Sequence, residues 1–240
     1  MAYAFGAPSI VQDGLVFYVD AANKDSYVSG SSDTFNILNK SISGSFSSTG
    51  MFENINAGVF AFDGAGDTIT TTSGLDFFNG ADRFTVACWI KLADDGSQNK
   101  DIISKGNTSS NNTQFFIRKG KNSNGDKIFL FLDNAGSKYI GGASALSNDR
   151  WYYIAGVYKG FESSNNDKGE VYVDGVNDSN SFASSLPSSL VTTTQPLRIG
   201  EWQTAATDFD GNISCVQIYN KALSDEEVLQ NYNALKGRFN

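Results

Sequence analysis

The chain has 240 residues, carries 18 Lys and Arg against 26 Asp and Glu for a net charge of −8, and contains no histidine. An acidic balance without a basic run to offset it repels a phosphate backbone, which argues against nucleic acid as a ligand. The missing histidine removes the most frequent general base, transition-metal ligand and pH switch together.

Aromatic content is 13%, prolines number 3, and the 24 glycines sit mainly beside Asp, Asn and Ser, the composition of many strands joined by turns. The first residues, Met1 to Ile10, lack a basic region followed by an apolar one, so no signal peptide is read there. No apolar run approaches the ~18 residues of a membrane span, so membrane insertion is not expected.

Residues 1–12 read as an N-terminal arm with apolar Tyr3, Phe5, Ile10 and Val11, and residues 13–240 as one domain. Short apolar runs between polar turns predict strands at Leu15–Val19, Val59–Phe62, Phe84–Leu92, Phe115–Arg118, Ile128–Leu132, Trp151–Tyr158, Val171–Val173, Leu197–Ile199 and Ile213–Tyr219. Cys88 and Cys215 lie inside such runs, where cysteine behaves as a small buried hydrophobe; two cysteines are a poor disulfide framework for so long a chain.

In the Trp151 run, Trp151, Tyr153, Ala155 and Val157 alternate with Tyr152, Ile154 and Tyr158. Both faces are apolar, which places this strand centrally between layers. Asp174 and Gly175 in "VYVDGV" supply the two positive-φ positions of a tight hairpin. The polar stretches Ser29–Gly58, Ser104–Asn112, Ser163–Gly169 and Asn177–Thr194 read as long loops. Near the C-terminus, Ser224 and Glu227 form a capping box, and Val228, Leu229, Tyr232 and Leu235 follow at helical spacing, predicting a helix over about 224–236.

Five segments together, "FAFDGAGDTI" at Phe60–Ile69, "FTVACWIKL" at Phe84–Leu92, "RWYYIAGVY" at Arg150–Tyr158, "VYVDG" at Val171–Gly175 and "FDGNISCVQIYNKALSDEEV" at Phe209–Val228, resemble the concanavalin A-like lectin/glucanase superfamily in its laminin-G-like and pentraxin-like branch. The resemblance implies an all-β fold, a two-sheet antiparallel jelly-roll sandwich with a short C-terminal helix. The segments "DGLVFYVDAANKDSY" at Asp13–Tyr27 and "LQNYNALKGRF" at Leu229–Phe239 look like parts of structural proteins of tailed bacteriophages of the myovirus and cyanophage type. That likeness implies a virion protein, made in the host cytoplasm and serving as a capsid decoration, fibre or adhesion module. Its expected partners are other virion proteins and further copies of itself, with host surface glycans as the alternative ligand and glycoside hydrolysis as the third reading.

Glycoside hydrolysis needs two carboxylates flanking the scissile bond. The candidate strands Phe115–Ile117 and Ile128–Leu132 carry none, no Gly-x-Ser-x-Gly elbow occurs, and serine nucleophiles lack a histidine base, so the expectation from sequence is that the chain is not an enzyme. Calcium is the one cofactor the resemblance implies. Asp20, Asp63, Asp67 and Asp210 are its candidate ligands, although Asp63 and Asp210 precede glycine and also suit turns. Ser214 follows "FDGNI", where the resembling family often has an acidic residue, which weakens a metal there. Trp202 in "IGEWQTAATD" is the candidate sugar-stacking residue, with folding back over the sandwich edge as its alternative, whereas Trp89 and Trp151 read as core.

Overall fold

The computed structural model describes residues 8–239 apart from 73–74, 94–96, 107–112, 133–137 and 203–206. Its strands, in chain order, are β1 Leu15–Val19, β2 Asp33–Phe35, β3 Ser43–Phe46, β4 Phe52–Glu53, β5 Val59–Asp63, β6 Ile69–Thr71, β7 Arg83–Leu92, β8 Lys100–Lys105 and β9 Phe115–Lys119. They continue as β10 Ile128–Phe131, β11 Tyr139–Gly142, β12 Trp151–Lys159, β13 Gly169–Val173, β14 Val176–Asn177, β15 Ser179–Phe182, β16 Leu197–Ile199 and β17 Asp210–Tyr219, followed by helix α1 Asp225–Leu235.

Among the described residues these strands form two antiparallel sheets. One has eight strands in the order β14-β13-β12-β7-β17-β5-β4, with β1 also pairing β17; the other has nine, β15-β11-β10-β9-β8-β16-β6-β3-β2. The sheets pack face to face over a core that includes Phe60, Phe84, Ile90, Ile117, Leu130, Ile154 and Ile218. All nine strands expected from apolar runs are present. The polar stretch Ser29–Gly58 is not one loop, however, because it contains β2, β3 and β4, and Asn177–Thr194 contains β15. Their Ser-, Thr- and Gly-rich strands lie toward the edges of the sheets and carry little of the apolar signal that marks central strands.

Strand β12 lies between β7 and β13 and is apolar on both faces for separate reasons. Tyr152, Ile154 and Tyr158 enter the inter-sheet core, while Tyr153, Ala155 and Val157 enter a second cluster on the outer face of the same sheet. Helix α1 and the residues after it cover that second cluster: Trp89 stacks on Phe239 at 4.4 Å and on Tyr232 at 5.6 Å. The capping box forms, with the Glu227 N–H donating to Ser224 Oγ and the Ser224 N–H to the Glu227 carboxylate. Val228 is fully buried, whereas Leu229 is 42% exposed, because the helix touches the sheet along a narrower stripe than the apolar spacing suggests. Asp174 and Gly175 adopt the expected positive φ, at 53° and 80°.

Cys88 and Cys215 are both buried and free. They face opposite sides of the eight-stranded sheet, Cys88 into the inter-sheet core and Cys215 into the outer cluster, which rules out a disulfide between them. Of the expected arm, Tyr3 and Phe5 lie outside the described residues. Val11 is anchored on the domain itself, its N–H donating to Asn231 Oδ1 at 2.8 Å and its carbonyl accepting from Tyr219 Oη at 3.1 Å. No helix among the described residues is long and apolar enough to cross a membrane.

Candidate functional site

Strands β9 and β10 read FFIRK and IFLF. Phe115, Ile117, Ile128 and Leu130 point into the core, so strand alternation sends Phe116, Arg118, Phe129 and Phe131 to the outer face of the nine-stranded sheet. Register then aligns them: Phe131 lies opposite both Phe116 and Tyr139, and Phe129 opposite both Arg118 and Gly141. Phe116 and Phe131 stack at 4.4 Å, and Phe129 meets Tyr139 edge-on at 5.8 Å. The result is an aromatic platform on the face that the helix leaves uncovered.

Phe129 depends on glycine. A Cβ on Gly120 would lie 2.8 Å from its ring and one on Gly141 2.7 Å away, closer than real Cβ contacts come. These two residues let the ring lie against the sheet. Beside it is a groove of about 440 Å³ whose walls include Arg118, Lys127, Phe129, Phe131, Tyr139 and Asn180. That volume lies in the range of clefts that take small ligands.

Arg118 is held from below. Its Nε and Nη2 donate to Asp101 Oδ1 and Oδ2 at 2.6 and 3.0 Å, and Asp101 is fully buried. The guanidinium lies 4.9 Å from the Phe116 ring centre and 5.7 Å from that of Phe131, so a bidentate fork and two π-faces set its plane. Nη1 has no hydrogen bond among the described residues. Lys127, on the same groove, has no ion-pair partner among them either.

Next to Asp101, joined to it by an isolated parallel bridge, is Asp208. It is 1% exposed, and neither carboxylate oxygen has a hydrogen-bond partner among the described residues. Burial pushes its carboxyl up to about 6, and the Glu201 and Asp101 charges add to the shift; the nearby Gly66 N–H and Lys100 ammonium offset only part of it.

A second groove, of about 500 Å³, runs between residues 29–32 and 47–52. Its aromatic walls Tyr27, Phe46 and Phe52 pack on one another and on the core, and it carries no charged side chain. It offers a ligand less to recognise.

Trp202 does not stand free on the rim. Its ring stacks on Phe116 at 4.4 Å and 17°, and its Nε1 is buried without a partner, so it extends the aromatic platform from above. Trp89 is core, while Trp151 is only partly buried, with Lys91 over its ring at 5.9 Å.

The structure separates the four aspartates. Asp20 Oδ1 accepts from the Ala22 N–H and from Arg238 Nη1 at 2.7 Å, and Oδ2 accepts from Tyr18 Oη, which makes it an anchor for the C-terminus. Asp63, Asp67 and Asp210 do converge, since Asp63 lies opposite Asp210 in the β5–β17 register and the Asp63 N–H donates to Asp67. Asp63 Oδ1 also holds the Ala65 N–H, and Asp67 Oδ1 the Ser48 hydroxyl. These are turn-shaping bonds, and among the described residues no three acidic side chains are grouped to hold a metal.

Asp101, Arg118, Phe129, Phe131 and Asp208 were not singled out from the sequence. For Arg118, Phe129 and Phe131 the signal was the strand alternation itself: in "FFIRK" and "IFLF" every position is apolar or basic, so one half of each strand must face away from the core.

The molecule is thus a two-sheet β-sandwich with an aromatic, ligand-sized groove on one outer face. A family model described as the concanavalin A-like lectin/glucanases superfamily matches residues 63–229, and the chain belongs to that superfamily. No curated protein matches it.

Among solved structures, Trypanosoma rangeli sialidase in complex with a difluoro-KDN is similar with a TM-score of 0.65 at 15% identity, over 98% of this chain and 37% of that one. The receptor binding domain of botulinum neurotoxin D is similar with a TM-score of 0.66 at 15% identity, over 92% of this chain and 52% of that one. A native heptameric SAP-like pentraxin from Limulus polyphemus has a TM-score of 0.57 at 19% identity, over 70% of this chain and 78% of that one. The chain spans little more than a third of the sialidase chain's length, and at these identities the likeness shows the fold alone.

The expectation that the chain is not an enzyme is corrected by these matches. Sialidases share its fold over nearly its whole length, and its superfamily includes glucanases, so the fold is compatible with catalysis. The physical reason for the error is that the test looked for acidic residues along one strand. The fold also sets acids from separate segments side by side, as Asp101 and Asp208 show.

Proposed function

We propose that the protein is a lectin-like recognition module that holds a saccharide on the outer face of the nine-stranded sheet, and that it does so as part of a bacteriophage particle. The observation that carries the first part is the groove itself. The partly exposed rings of Phe129 and Tyr139 lie next to donors on Arg118, Lys127 and Asn180, of which Arg118 is fixed by Asp101, the pairing of apolar ring faces and polar edges that a sugar presents. The virion part is supported by the likeness of Asp13–Tyr27 and Leu229–Phe239 to phage structural proteins. Multiple copies on a particle would raise the avidity of a shallow site.

A glycan array probed with the labelled protein tests the sugar reading, alongside Phe129→Ala and Trp202→Ala. Each variant is expected to weaken the strongest signals by about three- to tenfold, the loss of one stacking partner, with an unchanged melting temperature for Phe129→Ala. Absence of signal from the parent protein, or full signal from both variants, would remove the groove as a sugar site. Immunogold labelling of purified phage particles tests the location, and particles free of the protein would refute it.

A further inference from the structure

The groove's charge is opposite to that of the molecule. The chain carries −8 overall, yet residues 99–132, which supply three strands of the nine-stranded sheet, contain six basic side chains and only two acidic ones. Both acids are already spent, Asp101 on Arg118 and Asp126 on Lys119 at 2.6 Å. The residues that line the groove include the cations Arg118 and Lys127 and no carboxylate. Asp178 lies beside Gly142 on the wall, and its oxygens are held by the Ala143 and Ser144 N–H groups and the Ser144 hydroxyl.

Resting on the reading of the groove as a saccharide site, we infer that its ligand is an acidic saccharide, one bearing a carboxylate or sulfate. The aromatic rings take the face of the sugar ring, and Lys127 with Arg118 Nη1 takes the anionic group. Lys127 lines the groove beside Phe129 without an acidic partner among the described residues, which leaves its charge to be met by solvent or by an anionic ligand. The division of labour is specific. Arg118 is rigid because Asp101 holds two of its donors, and it sets the direction of approach, while Lys127 supplies an adaptable point charge.

A long polyanion fits less well, because beyond the groove it would meet the acidic remainder of the surface. A short acidic sugar meets only the local field.

The test uses the full-length protein on matched saccharide pairs: oligogalacturonate against its methyl ester, sialyl- against asialo-oligosaccharide, and sulfated against desulfated chondroitin oligosaccharide. A deoxythymidine octamer is included as a non-sugar anion. The expected result is that at least one acidic member binds about tenfold or more tightly than its neutral partner, a difference worth about 1.4 kcal/mol. Raising NaCl from about 0.05 to 0.5 M should erase most of that preference. Lys127→Gln should remove most of it too; Lys40→Gln, which makes the same charge change at an exposed site outside the groove, should not.

Equal binding of neutral and acidic partners would overturn the acidic preference and leave the saccharide reading standing. Binding of none of the saccharides would overturn both. Preference for the oligonucleotide over every sugar would overturn both and assign the groove to nucleic acid.

Discussion

Asp101 and Arg118 face one another across β8 and β9 as a bidentate pair, at 2.6 and 3.0 Å, with the carboxylate fully buried and the guanidinium side chain 15% exposed. The pair fixes a cation at the wall of the groove, and its cost is asymmetric. Arg118→Ala leaves Asp101 buried without a partner and should destabilise the protein by about 3–5 kcal/mol, whereas the double replacement Asp101→Leu, Arg118→Met should restore much of that. Urea unfolding followed by intrinsic fluorescence measures both. A single variant as stable as the parent would show that the pair does not bear on the fold.

Gly141→Ala addresses the platform directly. The new Cβ would lie 2.7 Å from the Phe129 ring and 2.5 Å from Ser181 Oγ, so the ring must leave its place. The expected destabilisation is about 1–3 kcal/mol, with saccharide binding lost by a larger factor than in Phe129→Ala. Retained binding would place the ligand away from Phe129.

Asp208 makes stability depend on pH. Its carboxyl is raised from 3.8 to about 6, so the folded protein holds a proton that the unfolded chain releases. Stability from this group is therefore present below about 3.8, falls as pH rises, and is lost above about 6. Asp208→Asn removes the effect. It should stabilise the protein by about 1–3 kcal/mol at pH 7–8 and leave it nearly unchanged at pH 4, as read by urea midpoints across that range. A variant less stable than the parent at pH 8 would mean that the ionised carboxylate has a partner in the folded state.

The C-terminal segment should behave as part of the fold. Ser224→Ala is expected to lose about 1 kcal/mol through the cap. Phe239→Ala, which removes the ring stacked on Trp89, should lose about 3–5 kcal/mol and shift Trp89 emission to the red. An unchanged spectrum would contradict the stack.

For calcium, the turn bonds of Asp63 and Asp67 and the anchoring of Asp20 to Arg238 lead to a plain expectation. Chelator or millimolar calcium should move the melting temperature by less than about 1 °C, since only a ligand that binds the folded state stabilises it. A clear rise with calcium would reassign Asp63, Asp67 and Asp210 as ligands.

Local sequence determined the parts of this protein whose signals are local. Apolar runs located the central strands, Asp174-Gly175 the hairpin, and Ser224 with Glu227 the start of the helix, because strand alternation, positive φ and capping each act over a few residues. The polar strands β2, β3 and β15 escaped notice because their pairing comes from neighbours distant in sequence. The tertiary structure alone decided the site. Asp101, Arg118 and Asp208 come from three segments, and only register brings them side by side. It also decided which apolar face stays open: both sheets have apolar outer faces, but α1 and Phe239 cover that of the eight-stranded sheet, leaving Phe129, Tyr139 and the groove's cations on the other. That choice depends on where the helix docks, a long-range contact that no spacing of residues encodes.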